Sequence, residues 1–501
     1  MNLARAFAES VQKQPQKLAL FWGEREYAYA ELWHQSVAVA DQLRHAYGVR
    51  PGDRVGLWLK NCPEFIPSLF GILYTGAVVV PINNFLKADE VNYILGDAGI
   101  DVLITDAELG GHHRALEAVR PHLKLFRIEQ FAELEAADPA RPSATSGGSL
   151  PQAAESDLAV IINTSGTTGR PKGAMLSHGN LLHNVESCRI VLRTVAADRF
   201  TVLLPLFHSY MLTVGLLLPL LVGGSVVLVK SLHPVKNVVQ EILQRQATVL
   251  PAIPQFYRSL VNAPIPVPLP LRICVSGAAP LPAQVLKEFE AKFHIPLIEG
   301  YGLSEASPVV TKNPLDGTRK AGSIGLPIPH VEVSVQDDGG CHLGPGQIGE
   351  ICVRGGNVML GYWKQPEETA RTMRDDWLLT GDIGYRDDEG YYYITDRKKD
   401  MLLVNGINVY PREIEEVLYQ FPGVKEAAVI GKPDSRRGEQ PIAFVAVNDD
   451  TTLDEKALQH FLRQKLADYK LPRKLVLLPA LPRNATGKIL KTTLRELPLA
   501  D

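Results

Sequence analysis

Residues 163–173 form the stretch of the chain whose side chains suggest the most specific chemistry. They include three glycines, four Ser or Thr hydroxyls, one arginine and one lysine. Glycine lets a backbone approach a ligand closely, and backbone N–H groups, hydroxyls and a lysine together suit a polyphosphate. The stretch is not a Walker A loop, because Pro171 precedes Lys172 and Gly173 follows it, where that motif has Gly and then Ser or Thr. A polar glycine-rich turn without a ligand is the alternative interpretation.

The segments around this stretch predict alternating strands and helices. The run 158–162 before it is uncharged and rich in β-branched residues, which predicts a buried strand, and residues 180–193 after it predict a helix. The apolar stretches 65–86 and 211–229 are long enough to span a membrane, but Gly and Pro interrupt both. Each is better explained as a buried helix followed by a buried strand. We therefore expect an α/β protein with parallel-rich sheets, helices on both sheet faces and no transmembrane segment.

The pattern of the sequence changes twice along the chain. From residue 321 onward, short β segments with many glycines predict a β-rich part. Residues 396–400 (Asp-Arg-Lys-Lys-Asp) form a charged, turn-like stretch, and enough chain follows for a small further domain. We predict an N-terminal domain over residues 1–395, a hinge over 396–400, and a mobile α+β C-terminal domain over 401–501.

Composition argues against several kinds of function. The net charge of -3 gives no electrostatic case for a nucleic-acid partner. The five cysteines are scattered without a C-x-x-C pair, which favours reduced thiols over a disulfide framework or a zinc site. The first residues lack the apolar segment of a signal peptide, so we expect a cytoplasmic protein. A peripheral membrane contact stays open, as does the choice between a monomer and a homodimer.

Five separated stretches occur in an order that resembles the acyl-adenylate-forming enzymes. That family includes acyl-CoA synthetases, luciferases and peptide-synthetase adenylation domains. The stretches are 164–173, 301–305 (Tyr-Gly-Leu-Ser-Glu), 380–382 (Thr-Gly-Asp), 396–400 with Asn405 and Gly406, and 482–488 (Pro-Arg-Asn-Ala-Thr-Gly-Lys). One stretch alone is weak to moderate support, but five in this order, over nearly the whole chain, are specific. The resemblance is greatest to fatty acyl-CoA synthetases.

The resemblance implies a two-step reaction. A carboxylic acid attacks the α-phosphate of Mg-ATP, pyrophosphate leaves and an acyl-AMP forms. The thiol of CoA then takes the acyl group and AMP leaves. Positioning and charge stabilisation dominate catalysis of this kind. The implied partners are therefore a small carboxylic acid, ATP and CoA, with Mg²⁺ as the metal ion.

The resemblance implies that the N-terminal domain, residues 1–395, binds ATP and the acyl group, and it assigns the nucleotide to several stretches. The residues implied to hold its β- and γ-phosphates are Thr164, Ser165, Gly166, Thr167, Thr168, Gly169 and Lys172. Glu305 and Thr164 are implied as the contacts of Mg²⁺, which prefers hard oxygen ligands. The residues implied to bind the nucleoside are Tyr301, Gly302, Ser304, Gly277, Ala278, Ala279, Asp382 and Arg397. Among these, Tyr301 would stack on adenine, Asp382 would accept both ribose hydroxyls, and Arg397 would donate to the ribose.

The C-terminal region is implied to act in both steps. Lys488 would bridge the attacking carboxylate and the α-phosphate in the first step. A rotation about Lys399 would then withdraw Lys488 and bring Gly406 to the acyl carbonyl, where a small residue lets the thiol pass. His208 is implied to gate or line the acyl pocket. The candidate catalytic residues are Lys488, Glu305, His208, Lys399 and Gly406.

The identity of the acid is argued from the segment that starts at His208. An amino-acid substrate needs an acidic partner for its ammonium group. His208 stands where amino-acid-activating relatives have Asp, and residues 209–229 contain no acid. The run 210–218 suits an apolar acyl or aryl group, although core packing explains it equally well. We expect a medium- or long-chain fatty acid; an aryl acid of the coumarate or benzoate type, a luciferase-like reaction and a non-catalytic relative stay open.

Overall fold

A computed structural model describes residues 1–131, 152–165, 171–265, 268–405, 407–434, 438–447, 453–484 and 487–498. Of the predicted site, Gly166, Thr167, Thr168, Gly169 and Gly406 lie outside the described residues, as does the side chain of Ser165. The remaining predicted site residues are all described.

Helices occur throughout the described chain. In chain order they are α1 (Leu3–Lys13), α2 (Tyr29–His45), α3 (Phe65–Thr75), α4 (Ala88–Ala98), α5 (Gly110–Val119), α6 (His178–Leu192), α7 (Leu218–Val222), α8 (Val235–Gln244), α9 (Pro254–Asn262), α10 (Ala283–Phe293), α11 (Pro366–Thr372), α12 (Pro411–Tyr419), α13 (Glu455–Lys465) and α14 (Lys491–Glu496). A π-helical segment, Met211–Leu217, runs directly into α7. Pro411 starts α12, as predicted, because its fixed φ and missing N–H suit the first helical position.

Strands build four sheets. In chain order they are β1 (Leu18–Trp22), β2 (Arg25–Ala28), β3 (Arg54–Leu57), β4 (Val78–Pro81), β5 (Val102–Thr105), β6 (Lys124–Arg127), β7 (Leu158–Ser165), β8 (Pro171–Ser177), β9 (Arg199–Val202), β10 (Ser225–Leu228), β11 (Val249–Ala252), β12 (Ile273–Ser276), β13 (Leu297–Gly302), β14 (Val309–Lys312), β15 (Leu326–Pro327), β16 (Val331–Gln336), β17 (Gly349–Gly355), β18 (Gly361–Tyr362), β19 (Met373–Arg374), β20 (Trp377–Arg386), β21 (Tyr392–Arg397), β22 (Leu402–Val404), β23 (Ile407–Val409), β24 (Val424–Asp434), β25 (Gly438–Val447) and β26 (Lys474–Leu478).

The largest sheet has nine strands in the order β15-β14-β13-β12-β11-β9-β10-β1-β2. Its strands from β13 to β1 are parallel, and antiparallel strands close both ends. Ser276 of β12 lies opposite Glu299 of β13. Because parallel strands end at one edge of a sheet, this register brings the turn after β12 next to Tyr301.

A second sheet has the order β18-β8-β7-β4-β3-β5-β6 and is parallel from β7 to β6. The predicted strand 158–162 is confirmed but extends to Ser165, where it pairs antiparallel with β8. Sequence analysis did not predict β8. Because β7 and β8 pair, the predicted phosphate-binding stretch begins and ends on paired strands. Gly173 allows this pairing, since a Cβ there would lie 2.6 Å from Cγ2 of Ile161.

The two remaining sheets divide the later part of the chain. The predicted β-rich part is an antiparallel sheet, β16-β17-β20-β19, with β21 added to β20. The last sheet, β23-β22-β25-β24 with β26 beside β25, shares no described strand with the others. We call the chain up to Arg397 the N-terminal part and the chain from Leu402 the C-terminal part. The predicted hinge, residues 396–400, overlaps the interval between them, and its movement stays a prediction.

The two long apolar stretches are packed inside the N-terminal part. Every residue of α3 and of Met211–Leu217 is buried. Each stretch contains a helix, a left-handed glycine (Gly76, Gly223) and then a buried strand, as the sequence predicts. Among the described residues, no helix is long and apolar enough to cross a membrane.

Candidate active site

A cavity of about 440 Å³ lies between the N-terminal part and the C-terminal part. Both parts contribute to its walls. The predicted site residues that line it are Ala278, Ala279, Tyr301, Gly302, Asp382, Arg397, Lys399 and Lys488. Four of the five ordered stretches therefore meet around one space, and the stretch 164–173 does not line it.

Asp382, Tyr301 and Arg397 form a hydrogen-bonded cluster on the wall of this cavity. The Tyr301 hydroxyl donates to Asp382 Oδ2 at 2.6 Å, and Arg397 Nε lies 3.0 Å from Asp382 Oδ1. Burial, together with the neighbouring carboxylate, raises the pKa of Tyr301, so the phenol stays a donor. The charge of Asp382 raises the pKa of Arg397. The cluster presents a fixed carboxylate, balanced by one guanidinium group, to the cavity.

Small residues keep the backbone beside this cluster accessible. Ala278 has a φ of +64°, a left-handed conformation that residues with a Cβ seldom adopt and that often marks functional sites. A Cβ at Gly277 would lie 3.1 Å from the ring of Tyr210, and one at Gly302 would lie 2.0 Å from the carbonyl oxygen of Pro308. Gly302 is therefore required by its contact with backbone, and Gly277 is closely packed, which the sequence alone could not indicate.

Glu299 lines the same wall and was missed by the sequence analysis. It lies in β13, its exposed fraction is 5%, and it accepts the N–H of Leu281 at 2.9 Å. Burial raises the pKa of Glu299 to about 7, and the positive charge of Arg412 partly offsets this effect. A buried carboxyl group perturbed in this way is typical of functional sites. The available signal was a carboxylate within an otherwise apolar strand.

Thr164 and Glu305 meet outside the walls of the cavity. Thr164 Oγ1 lies 3.4 Å from Glu305 Oε1, and the Tyr362 hydroxyl donates to the same oxygen at 2.9 Å. Burial raises the pKa of Tyr362, so its hydroxyl keeps its proton and remains a donor. The pairing of β18 with β8 brings Tyr362 to this position. Tyr362 is a second residue that sequence analysis missed.

Lys172 is also paired in this group. Its side chain is 7% exposed and forms an ion pair with Glu368 at the start of α11. Its Nζ lies 5.3 Å from the centre of the Tyr362 ring, so Tyr362 contacts both Lys172 and the carboxylate of Glu305. Glu368 was missed because an acidic residue after Pro366 is an ordinary signal for a helix start.

The oxygen atoms of this group fit a Mg²⁺ ion that arrives with its substrate. The described residues contain no group of three or more His, Cys, Asp and Glu that could hold a metal ion. Glu305 and the Thr164 hydroxyl offer two oxygens close together. Mg²⁺ is ordinarily bound by one or two carboxylates together with substrate phosphates and water. The residues therefore fit Mg²⁺ bound jointly with ATP.

Lys488 reaches the cavity from the C-terminal part. It lies on a turn between β26 and α14, after Gly487, whose φ is +81°. Desolvation by the cavity walls, and then the charge of Arg397, lower the pKa of Lys488 to about 8. Lys488 and Arg397 therefore add two positive charges beside the single negative charge of Asp382.

His208 and Ser304 lie outside the walls of the cavity. Nδ1 of His208 accepts the N–H of Tyr210 at 3.3 Å, so Nε2 carries the proton of the neutral ring. Burial, and then the charge of Lys488, lower the pKa of His208 to about 4. His208 is therefore uncharged near neutral pH. The hydroxyl of Ser304 shares a 2.9 Å hydrogen bond with the hydroxyl of Ser209.

The residues on either side of Lys399 are fixed to different parts of the molecule. The N–H of Lys398 donates to the carbonyl oxygen of Gly381 at 2.8 Å, within the N-terminal part. The carboxylate of Asp400 forms a 2.6 Å ion pair with Arg495 of α14 in the C-terminal part, while its N–H donates to the carbonyl oxygen of Arg397 at 2.9 Å. Lys399 itself is exposed, and no described residue forms an ion pair or side-chain hydrogen bond with it. The backbone of Lys398 is thus bonded to the N-terminal part and the side chain of Asp400 to the C-terminal part, with Lys399 between them.

Two sequence profiles match the chain. Residues 7–363 match the profile of the AMP-binding enzyme, and residues 413–488 match that of the AMP-binding enzyme C-terminal domain. The interval between the two matches contains the linker around Lys399.

Individual relatives align over nearly the full length. The chain is 35% identical to the long-chain-fatty-acid–CoA ligase of Bacillus subtilis (strain 168), over 99% of this chain and 94% of the relative. It is 38% identical to the feruloyl-CoA synthase of an Amycolatopsis species, over 96% of each. Among solved structures, MatB from Rhodopseudomonas palustris is 34% identical over 99% of both chains. The TM-score is 0.91 with the ATP-bound structure of MatB and 0.79 with its apo structure.

Proposed function

This chain belongs to the AMP-binding enzyme family and is an ATP-dependent CoA ligase, and we propose that its acid substrate is a medium- or long-chain fatty acid. The enzyme would form acyl-AMP with release of pyrophosphate, and then acyl-CoA with release of AMP. The observation that carries this two-step reaction is the cavity where the cluster of Asp382, Tyr301 and Arg397 faces Lys488.

The cluster supports a role in holding the nucleoside. A carboxylate can accept two hydrogen bonds at once, so Asp382 suits the two adjacent hydroxyls of a ribose. Tyr301 provides an aromatic face beside the accessible backbone of Ala278 and Ala279, which suits the adenine base. Arg397 remains charged and would donate to the ribose while it neutralises Asp382.

The group of Thr164, Lys172 and Glu305 supports a role in holding the phosphates. Lys172 provides a cation within the stretch 163–173, and Glu305 and Thr164 provide oxygen ligands for a metal ion. When bound, Mg²⁺ supplies neutralisation of the charge on the phosphates. The hydroxyl of Tyr362 and the carboxylate of Glu368 would hold Glu305 and Lys172 in place.

Lys488 has the charge and the position for the adenylation step. Its ammonium group, next to Arg397, would bind the negative charge that the carboxylate and the α-phosphate share as they approach. The neutral ring of His208 adds no competing charge. The greater similarity to the ATP-bound state of MatB than to its apo state further supports an arrangement that serves this step.

The second step would follow a rotation about Lys399. The chain is anchored on either side of this residue but not at it, which supports Lys399 as the pivot. The rotation would withdraw Lys488 and bring the segment of Gly406, which lies outside the described residues, to the acyl carbonyl for attack by the CoA thiol. The hinge, and with it the division into domains 1–395 and 401–501, is part of this proposal.

A fatty acid is supported by the full-length similarity to the Bacillus subtilis ligase and by the apolar segment after His208. An aryl acid is the second candidate, because the feruloyl-CoA synthase is slightly more similar over its own alignment. Met211–Leu217 is entirely buried among core residues, which agrees with either acid.

The test is AMP release with Mg-ATP, with and without CoA, over a panel of acids. The panel runs from acetate to palmitate and includes benzoate, coumarate, ferulate and several amino acids. We expect CoA-dependent turnover that peaks on an aliphatic chain and is lost in Lys488→Ala. A peak on an aryl acid would replace the fatty-acid proposal by the second candidate. Adenylation that ignores CoA would contradict the proposed second step.

A further inference from the structure

The turn that carries Lys488 is closed by its own hydrogen bonds. The side-chain oxygen of Asn484 accepts the N–H of Lys488 at 2.9 Å, and the N–H of Asn484 donates to the carbonyl oxygen of Lys488 at 2.9 Å. The N–H of Gly487 donates to the carbonyl oxygen of Asn484 at 2.9 Å. The backbone of Lys488 is therefore fixed relative to Asn484, and the placement of the whole turn decides where its ammonium group lies.

Arg483 connects this turn to the sheet of the C-terminal part. One guanidinium nitrogen, Nη1, donates to the carbonyl oxygen of Gly487, the residue before Lys488. The other, Nη2, lies 3.0 Å from Oε1 of Glu426 in β24. The side chain of Glu426 is only 8% exposed, and its second oxygen accepts the N–H of Leu481 at 3.4 Å. A chain of contacts thus runs from β24 through Arg483 to the turn.

The opposite side of the turn is packed against the N-terminal part. A Cβ added at Gly487 would lie 2.4 Å from Cδ1 of Ile253, the residue before α9. The turn is therefore closely packed against the side chain of Ile253 on one side, while Arg483 and Glu426 hold it from the C-terminal side. Arg483 and Gly487 also line the cavity that Lys488 enters.

We propose that Arg483 is a positioning residue for adenylation, which Glu426 orients and which places the ammonium group of Lys488 in the cavity. The inference deepens the proposed function and rests on the role given there to Lys488. Arg483 acts on the first half-reaction alone, because Lys488 leaves the cavity before the second. Its planar guanidinium group holds the carbonyl oxygen of Gly487 and the carboxylate of Glu426 in a fixed geometry, which the flexible side chain of a lysine would reproduce less well.

The test measures the two half-reactions separately in Arg483→Ala, Arg483→Lys and Glu426→Gln. We expect kcat for adenylation, measured by ATP–pyrophosphate exchange, to fall about tenfold in Arg483→Ala, since small misplacements of a catalytic group are costly. KM for ATP and the transfer of a supplied acyl-AMP to CoA should stay within about twofold of the parent enzyme. Arg483→Lys and Glu426→Gln should show smaller losses in adenylation alone.

Lys470→Ala is the matched control. Lys470 forms a 2.6 Å ion pair with Glu413, also in the C-terminal part, but neither residue lines the cavity. This variant should keep both half-reactions. Equal losses of both half-reactions in Arg483→Ala and Glu426→Gln would show that the contact serves only folding and would overturn the proposal.

The double variant Arg483→Ala/Lys488→Ala gives the sharpest result. If Arg483 acts through Lys488, the double variant adenylates as slowly as Lys488→Ala alone, because effects of residues that act as a unit are not additive. A further tenfold loss in the double variant would overturn the proposal. Normal adenylation by Lys488→Ala itself would instead contradict the proposed function, so the two failures are distinguishable.

The pH profile of adenylation gives an independent readout. In the parent enzyme the cavity lowers the pKa of Lys488, so its ammonium group is lost at a lower pH than that of an ordinary lysine. In Arg483→Ala the ammonium group should spend more time in water, and the alkaline limb of kcat/KM should move to higher pH. An unchanged limb would show that Arg483 does not place Lys488.

Discussion

Asp382 and Lys488 lie at one cavity but are held in different ways. Asp382 lies within a continuous strand, and its side chain accepts from Tyr301 and pairs with Arg397, both in the N-terminal part. Its side chain is 4% exposed. Lys488 lies on a turn of the C-terminal part, its side chain is exposed to the cavity, and its position depends on how the two parts are arranged.

The difference indicates how one site can serve two reactions. Under the proposed rotation about Lys399, groups that hold the nucleotide through both steps are expected on the part that does not move, and Asp382, Tyr301 and Arg397 all precede Lys399. A group that is needed in one step only is better placed on a movable turn, since it can be withdrawn afterwards. Variants of the two kinds should therefore affect the half-reactions differently.

Lys488→Ala should have the largest effect and should affect one half-reaction. Adenylation should fall by about 10²-fold or more, because the variant removes the charge that stabilises the joining carboxylate and α-phosphate. Transfer from a supplied acyl-AMP to CoA should remain. Pyrophosphate exchange and thioester formation measure the two steps, and an equal loss in both would contradict the two-arrangement scheme.

Asp382→Asn should affect both half-reactions to a similar extent. The amide leaves Arg397 without its negative partner and is a weaker acceptor for the ribose hydroxyls. We therefore expect kcat/KM of each step to fall about 30-fold. Asp387→Asn is the control, because Asp387 also pairs with a cation, Lys320, but does not line the cavity. A loss confined to adenylation would contradict the placement of Asp382 on the fixed part.

The resemblance to the family implied that the three members of the cluster serve one nucleoside, because each lies in a motif of its own. Tyr301, Asp382 and Arg397 belong to three of the five ordered stretches, and the register of β20 with β21 places Asp382 opposite Arg397. Buried strands and helices were equally predictable, since α3 with β4 follows from a continuous apolar run ended by Gly76. A contact in the site can be expected from the sequence where both partners lie in motifs of the family.

The supporting residues could not be predicted in the same way. Glu299, Tyr362, Glu368 and Arg483 lie in ordinary strand, turn or helix-start patterns, and their contacts with the site arise only from tertiary packing. The strand β8 was missed for a related reason, because its pairing depends on the fit of Gly173 against Ile161. Such complementarity has no periodic signal in a single sequence.

Tyr362→Phe should weaken the proposed Mg²⁺ site at Glu305. The variant keeps the ring beside Lys172 but removes the 2.9 Å hydrogen bond to Glu305. We expect the Mg²⁺ concentration for half-maximal adenylation to rise about fivefold, in line with the loss of one hydrogen bond. Tyr393→Phe is the control, since its hydroxyl donates to Asp387 at 3.3 Å, away from Glu305. Equal Mg²⁺ dependence in the two variants would contradict this role of Tyr362.

The smallest effect is expected from a change of pH near 8. It should slow adenylation, which depends on Lys488, and leave acyl transfer unchanged. Lys488 must be an ammonium ion to act, and its pKa is lowered to about 8, so kcat/KM for adenylation should fall as pH rises through that value. At pH 8 kcat/KM for adenylation should be about half its maximum, and each further pH unit should lower it about tenfold. Acyl transfer should show no such limb.

Two further groups near the cavity titrate at lower pH and can be separated from Lys488. Burial raises the pKa of Glu299 to about 7 and that of Asp396 to about 6, so both titrate below the pKa of Lys488, and the pKa of Glu299 lies near enough to need a variant of its own. Lys488→Arg keeps the positive charge at all accessible pH values and should abolish the limb, whatever its rate, while Glu299→Gln should leave it in place. A limb that persists in Lys488→Arg would assign the titration to another group and remove the pH argument for Lys488.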